Sequence, residues 1–145
     1  MSKRLTVSLR PGHAMEVTRV SVGKKRLVYL ILADKPLRYP WGRSRIAYIG
    51  TTKKGMGRIA QSVAARSETV LGLYGVRKFQ VRIVTCAPRP NVKTWEKLER
   101  ALLLAFRRKY GDVPKCNKSG KNIQFRDECK YFNLYRLEHL LAEIS

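Results

Sequence analysis

Acidic residues are scarce in this sequence: 10 Asp and Glu stand against 31 Lys and Arg in 145 residues, a formal charge of +21. Solubility does not require that imbalance. It implies a polyanionic partner, with nucleic acid the first candidate and an anionic membrane surface the second. Histidine and cysteine are scarcer still. His13 and His139 lie far from Cys86, Cys116 and Cys129, and no CxxC pair occurs, so the spacing of a zinc site is missing. Free thiols in a reducing cytosol are the plain reading, and the protein is expected in the cytoplasm. Long apolar runs are absent too. "LVYLILA" and "ALLLAF" fall far short of the roughly 20 residues that span a bilayer, and "MSKRLTVSLRPGH" lacks the apolar core of a secretory signal. No internal repeat or low-complexity linker interrupts the chain.

What is present suits a single domain over residues 1–145, with hydrophobic residues at 44%. Residues 1–25 read as an N-terminal arm or hairpin, because scattered Val and Leu flank "RPGH". "RLVYLILA", Arg26 to Ala33, is apolar on both faces and predicts a central strand. "DKPLRYPWGRS" predicts a loop. Arg45 to Gly50 predicts a strand antiparallel to the first. From Gly55 to Arg66 the period changes: Met56, Ile59, Ala60, Val63 and Ala64 form a helical stripe. Lys78 to Ala87 predicts a third strand, and Lys93 to Tyr110 a long helix stopped by Gly111. Residues 130–144 predict a last helix that buries Phe132, Leu134, Leu137, Leu140, Leu141 and Ile144. The expected fold is α+β, a small central antiparallel sheet of about three strands flanked by helices.

One carboxylate conflicts with this pattern. Trp95, Leu98, Leu102, Leu103 and Phe106 form the apolar stripe of the long helix, and Glu99 falls inside it. Its helical neighbours three and four residues away include no cation. Burying an unpaired carboxylate costs several kcal/mol. Glu99 must therefore be protonated, meet a distant cation, or bind a metal. Glu96 lies nearer the edge, and Arg100 four residues on makes it an ordinary surface ion pair. In "AYIGTTKKGMGR", Ala47 to Arg58, a strand runs into a glycine-rich helix entry with Lys53, Lys54 and Arg58, and Arg66 two turns on. Arginine at a helix start opposes the helix dipole, and a bound phosphate would favour it. Without GK[ST] the turn is not a Walker A loop. Tyr29 and Tyr48, on neighbouring strands, need partners for buried hydroxyls.

These residues together resemble the GIY-YIG nuclease superfamily. "LVY" at Leu27 to Tyr29 stands at the first triplet and keeps its tyrosine, and "YIG" at Tyr48 to Gly50 is the second triplet intact. Arg58, eight residues after Gly50, is similar to the family's helix-borne arginine. Glu99 in "ERALLLAF" is similar to its metal-binding glutamate, and Asn117 in "YGDVPKCN" to its closing asparagine. Ser62 stands where many members carry histidine or tyrosine. Thr51 and Thr52 stand where many carry lysine, with Lys53 or Lys54 as its substitute. The resemblance implies an endonuclease that hydrolyses phosphodiester bonds in DNA with one divalent cation, Mg²⁺ or alternatively Mn²⁺, held by Glu99. Tyr29, Tyr48, Arg58 and Glu99 would be catalytic, with either tyrosine as the base. Lys53, Lys54, Arg66 and Asn117 would contact nucleic acid. Arg43, Arg45, Arg77, Lys78, Arg82, Arg107, Arg108 and Lys109 are candidates for tracking the backbone. The protein would act without a membrane, as a monomer or homodimer. The competing expectation is a basic nucleic-acid-binding protein that uses the same fold without catalysis.

Overall fold

The computed structural model describes residues 4–16 and 26–145. Their order is β1 (Leu27–Tyr39), β2 (Gly42–Thr52), α1 (Met56–Leu71), β3 (Phe79–Val84), α2 (Thr94–Tyr110), α3 (Glu128–Tyr131) and α4 (Leu134–Ile144). The strands make one antiparallel sheet in the order β2-β1-β3. Leu27 through Ala33 are all buried, so both faces of β1 are covered and it is the central strand that its unbroken apolar run predicts. Helices α1 and α2 both pack on β1 and β2, and α4 backs α2. The chain is therefore α+β, with a three-stranded antiparallel sheet flanked by helices.

The expected loop at "DKPLRYPWGRS" is not a loop. Strand β1 runs on to Tyr39, and only Pro40 and Trp41 turn before β2 begins. The register explains how a proline fits. Pairing with β3 stops at Ala33↔Phe79, and pairing with β2 slips between Leu32↔Ile46 and Leu37↔Ser44. Pro36 lies in that bulge, where no ladder N–H is required. The Arg45 Nε donates to the Ala33 carbonyl at 2.9 Å and satisfies the bulged backbone.

Other boundaries move less. Helix α1 continues past Arg66 to Leu71, with Ile59 and Val70 buried, Ala60 and Val63 half-buried and Ala64 exposed. The Met56 side chain lies outside the described residues. Strand β3 is shorter than expected. Helix α2 ends where predicted: Gly111 adopts φ 87°, and its N–H bonds the Arg107 carbonyl. Its last turn carries Arg107, Arg108 and Lys109, the sign that complements a helix C-terminus. The single tail helix is two helices instead. The side chain of Asn133 accepts from the N–H groups of Tyr135 and Arg136 and starts α4 afresh. Leu134, Leu137 and Leu141 are buried, while Phe132, Leu140 and Ile144 pack partly buried against the core. No strand forms over residues 4–16, which are exposed. The rest of the expected arm or hairpin, residues 1–3 and 17–25, lies outside the described residues. Among the described residues, no helix is long and apolar enough to cross a membrane.

Candidate functional site

The site begins with the register of the β1–β2 hairpin. Tyr29 pairs with Gly50, and Ile31 pairs with Tyr48. Two residues apart on one face, the phenols converge with ring centroids 5.8 Å apart. Gly50 makes this convergence feasible. A Cβ there would lie 2.6 Å from Cε1 of Tyr48 and 2.8 Å from the hydroxyl of Tyr29, so any side chain would push the rings apart. Tyr29 is 2% exposed and Tyr48 is half-buried. Burial pushes the Tyr48 phenol up to about 12, and the neighbouring Tyr29 adds to the rise. The Arg66 guanidinium opposes it, and the Glu99 carboxylate adds to it. Arg66 and Glu99 thus act on the same phenol with opposite sign.

Arg66 reaches Tyr48 from α1. Its guanidinium carbon stands 4.3 Å from the ring centroid, a cation–π distance, and its Nη1 donates to the Ser62 carbonyl at 3.3 Å. The position expected to hold a histidine or tyrosine therefore supplies a backbone acceptor that steadies an arginine. Arg58 sits in the first turn of α1, exposed, with Nη1 on the Gln61 side chain at 3.2 Å. That turn has no acidic residue and no side-chain cap. Lys53 and Lys54 are exposed at the β2–α1 connection. The structure thus gathers Tyr29, Tyr48 and Arg66, lets the Glu99 charge act on Tyr48, and leaves Arg58, Lys53 and Lys54 facing solvent.

Glu99 is half-buried and forms no ion pair among the described residues. Burial raises its carboxyl to about 7; Glu96 adds to the rise and Arg100 opposes it. The expected Glu96–Arg100 pair is absent. Arg100 turns instead to Glu128, with Nε 2.7 Å from Oε1, and to the Gln124 carbonyl at 2.7 Å. Glu128 is 1% exposed and also accepts from the Arg126 N–H. Burial acts to raise it, but these bonds outweigh that and hold it below the usual range. A fully desolvated carboxylate is a stronger competitor for a guanidinium than an exposed one. Nothing in "FRDECK" announced it, because the segment reads as a polar turn.

Asn117 reaches the site from the segment after α2. Its Oδ1 accepts from the Ile49 N–H at 3.0 Å, and its Nδ2 donates to the Ile49 carbonyl at 2.9 Å. With Cys116 N–H on the Ala47 carbonyl at 2.8 Å, it completes the outer edge of β2 between the two residues that matter, Tyr48 and Gly50. Both polar atoms of its side chain are thereby used on this strand. Cys116 is buried against the same edge, and burial raises its thiol. Of the backbone-tracking candidates, Arg45 is committed to Ala33, Arg107 to the Gly120 and Lys121 carbonyls, and Arg108 to Glu138. Arg43, Arg77, Lys78, Arg82 and Lys109 stay exposed.

No group of three or more His, Cys, Asp or Glu side chains converges among the described residues. A metal here would take one protein carboxylate. The residues fit such an ion. Glu99 offers a hard oxygen that forms no ion pair among the described residues, and a single carboxylate suits an Mg²⁺ that keeps most of its waters. No protein family, no curated protein and no solved structure matches the chain.

Proposed function

We propose that this protein is a metal-dependent endonuclease that hydrolyses phosphodiester bonds in DNA. One observation carries the reading: in a chain with 31 cations, a half-buried carboxylate forms no ion pair among the described residues, and its charge acts on one of two converging phenols. An uncompensated buried acid costs several kcal/mol, a cost that persists where a site has a use for the charge. Glu99 would hold the cation. Bound there, Mg²⁺ would polarise a phosphoryl oxygen and stabilise the leaving oxygen.

The chain's own groups do the rest. Arg66, fixed over Tyr48, presents positive charge where a phosphate would approach. Arg58, at an uncapped helix start, is free to swing onto a second oxygen. Tyr29 and Tyr48 are the proton acceptors in reach, and the cation over Tyr48 favours its phenolate. With a phenol raised to about 12, only a small phenolate fraction exists at neutral pH, so cleavage should quicken toward alkaline pH. Asn117 keeps both triplet residues in register by closing on Ile49. Lys53 and Lys54 supply exposed positive charge at the edge of the site.

The test is cleavage of plasmid, single-stranded, forked and RNA substrates with and without Mg²⁺. Wild-type protein should nick DNA only with the metal, and Glu99→Ala and Arg58→Ala should be folded and inactive. Equal cutting by all three proteins would identify a contaminant and end the proposal. The second reading, a basic binding protein without catalysis, draws on the solvent-facing Arg58 and on Ser62. Binding that EDTA leaves unchanged, with no product after long incubation, would favour it.

A further inference from the structure

The far end of the β1–β2 hairpin carries a surface that the proposed chemistry does not use. Trp41 occupies the two-residue turn and is 69% exposed, an unusual position for the largest apolar side chain. It is nevertheless firmly seated. Its backbone N–H bonds the Tyr110 carbonyl at 3.1 Å, tying the turn to the end of α2. Beneath it lies Gly111, where a Cβ would stand 2.9 Å from Cδ2 of the indole and 2.9 Å from Cβ of Pro40. One face of the ring is therefore held while most of it meets solvent.

Charge surrounds the turn. Arg38 and Arg43 are exposed and directly opposite each other in the ladder, an arrangement of like charges that destabilises a strand pair. Lys109, at the end of α2, and Lys115, whose Nζ lies 5.1 Å from the Tyr39 ring, add two more. None of the four forms an ion pair among the described residues. The acid that follows Gly111, Asp112, gives an oxygen to the Val113 N–H. A held, exposed indole amid four cations that outnumber the neighbouring acid suits a polyanion that also offers flat aromatic faces. A base inside a duplex has its faces covered, so the base must be unpaired.

We propose that Trp41 is a stacking platform for an unpaired base, and that the substrate is DNA carrying a single-stranded segment at a set distance from the scissile bond. The substrate class rests on the nuclease reading; the stacking does not. Trp41, just before β2, and Tyr48 on it are seven residues apart, roughly 23 Å at about 3.3 Å per residue. That span equals about seven base pairs of duplex at about 3.4 Å each.

The experiment measures binding in EDTA, so that cleavage plays no part. The probes are a single strand, a blunt duplex, and the same duplex with a single-stranded flap that carries 2-aminopurine. Trp41→Ala should weaken binding to the flap and the single strand by about ten-fold, the loss of one stacked base, and leave the blunt duplex unchanged. Trp41→Phe should retain most of the affinity. Wild-type protein should quench the 2-aminopurine, and Trp41→Ala should not. Thermal midpoints of both variants verify the fold. Equal flap affinity for Trp41→Ala and wild type, an equal loss on all three probes, or no binding by wild type would overturn the proposal. The expected pattern without any cleavage in Mg²⁺ would end the nuclease reading and sustain the stacking platform.

Discussion

Glu99 and Arg100 are neighbours on α2 with opposite fates. On the Arg100 side, the helix straps down the segment that follows it. Arg100 closes on the buried Glu128 and the Gln124 carbonyl, Lys97 on Asp127, and Arg107 on two more carbonyls. Every buried charge there is answered. On the Glu99 side a half-buried carboxylate acts on the Tyr48 phenol and forms no ion pair among the described residues. The residue next to Glu99 on α2, Arg100, compensates a buried acid brought in by α3, so the lack of an ion-pair partner for Glu99 among the described residues does not reflect a shortage of cations. One region uses charge to hold the chain together, and the other keeps a charge available.

The largest effect should come from removing the available charge. Glu99→Ala should lower Mg²⁺-dependent cleavage by about 10³-fold, several kcal/mol of transition-state stabilisation, while the fold remains, as circular dichroism would register. Cutting at the wild-type rate would erase the functional side of the comparison. On the strap side, Arg100→Ala leaves Glu128 buried and unpaired, and should cost about 3 kcal/mol in denaturant unfolding. A loss near zero would mean that water replaces the guanidinium.

The two acids should also differ in their response to pH. Glu99 titrates near 7 in the folded chain and near its ordinary 4.5 when unfolded. Between those values the folded state holds a proton that the unfolded state has released. Stability from Glu99 is therefore present below about 4.5 and is lost as pH rises through 7, on the order of 3 kcal/mol in all. Glu99→Gln should flatten that decline and raise the melting temperature at pH 8 even as it abolishes activity. Added Mg²⁺ should stabilise wild type at that pH and leave Glu99→Gln unmoved. Smaller still, Asn117→Ala should cost about 1–2 kcal/mol through the two unanswered groups of Ile49, with a fall in activity from a loosened hairpin. Lys97→Ala, at a solvent-facing pair, should move the midpoint least.

Much of this was legible in the chain. The unbroken run from Leu27 to Ala33 announced a central strand, the glycine after Tyr110 a helix end, and Glu99 a misplaced acid, because periodicity and local backbone preference are near-neighbour properties. The bulge that hides Pro36 was not legible, since it depends on where β3 stops pairing. Nor was the exchange of Glu96 for Glu128 at Arg100. The competition was settled by desolvation of a residue 28 positions away. The break before α4 did have a local signal, the Asn133 cap, which the apolar spacing on both sides obscured.

By itself, the sequence determined the net charge, the order of the three strands and of α1, α2 and α4, and the presence of an acid on an apolar helix face, because these follow from composition and spacing. Only the tertiary structure decided which cation goes where. It set Arg66 over Tyr48, Arg100 on Glu128, and Arg58 in solvent. With 31 cations the chain offers many pairings of similar local merit, and burial, which exists only after the elements pack, is what separates them.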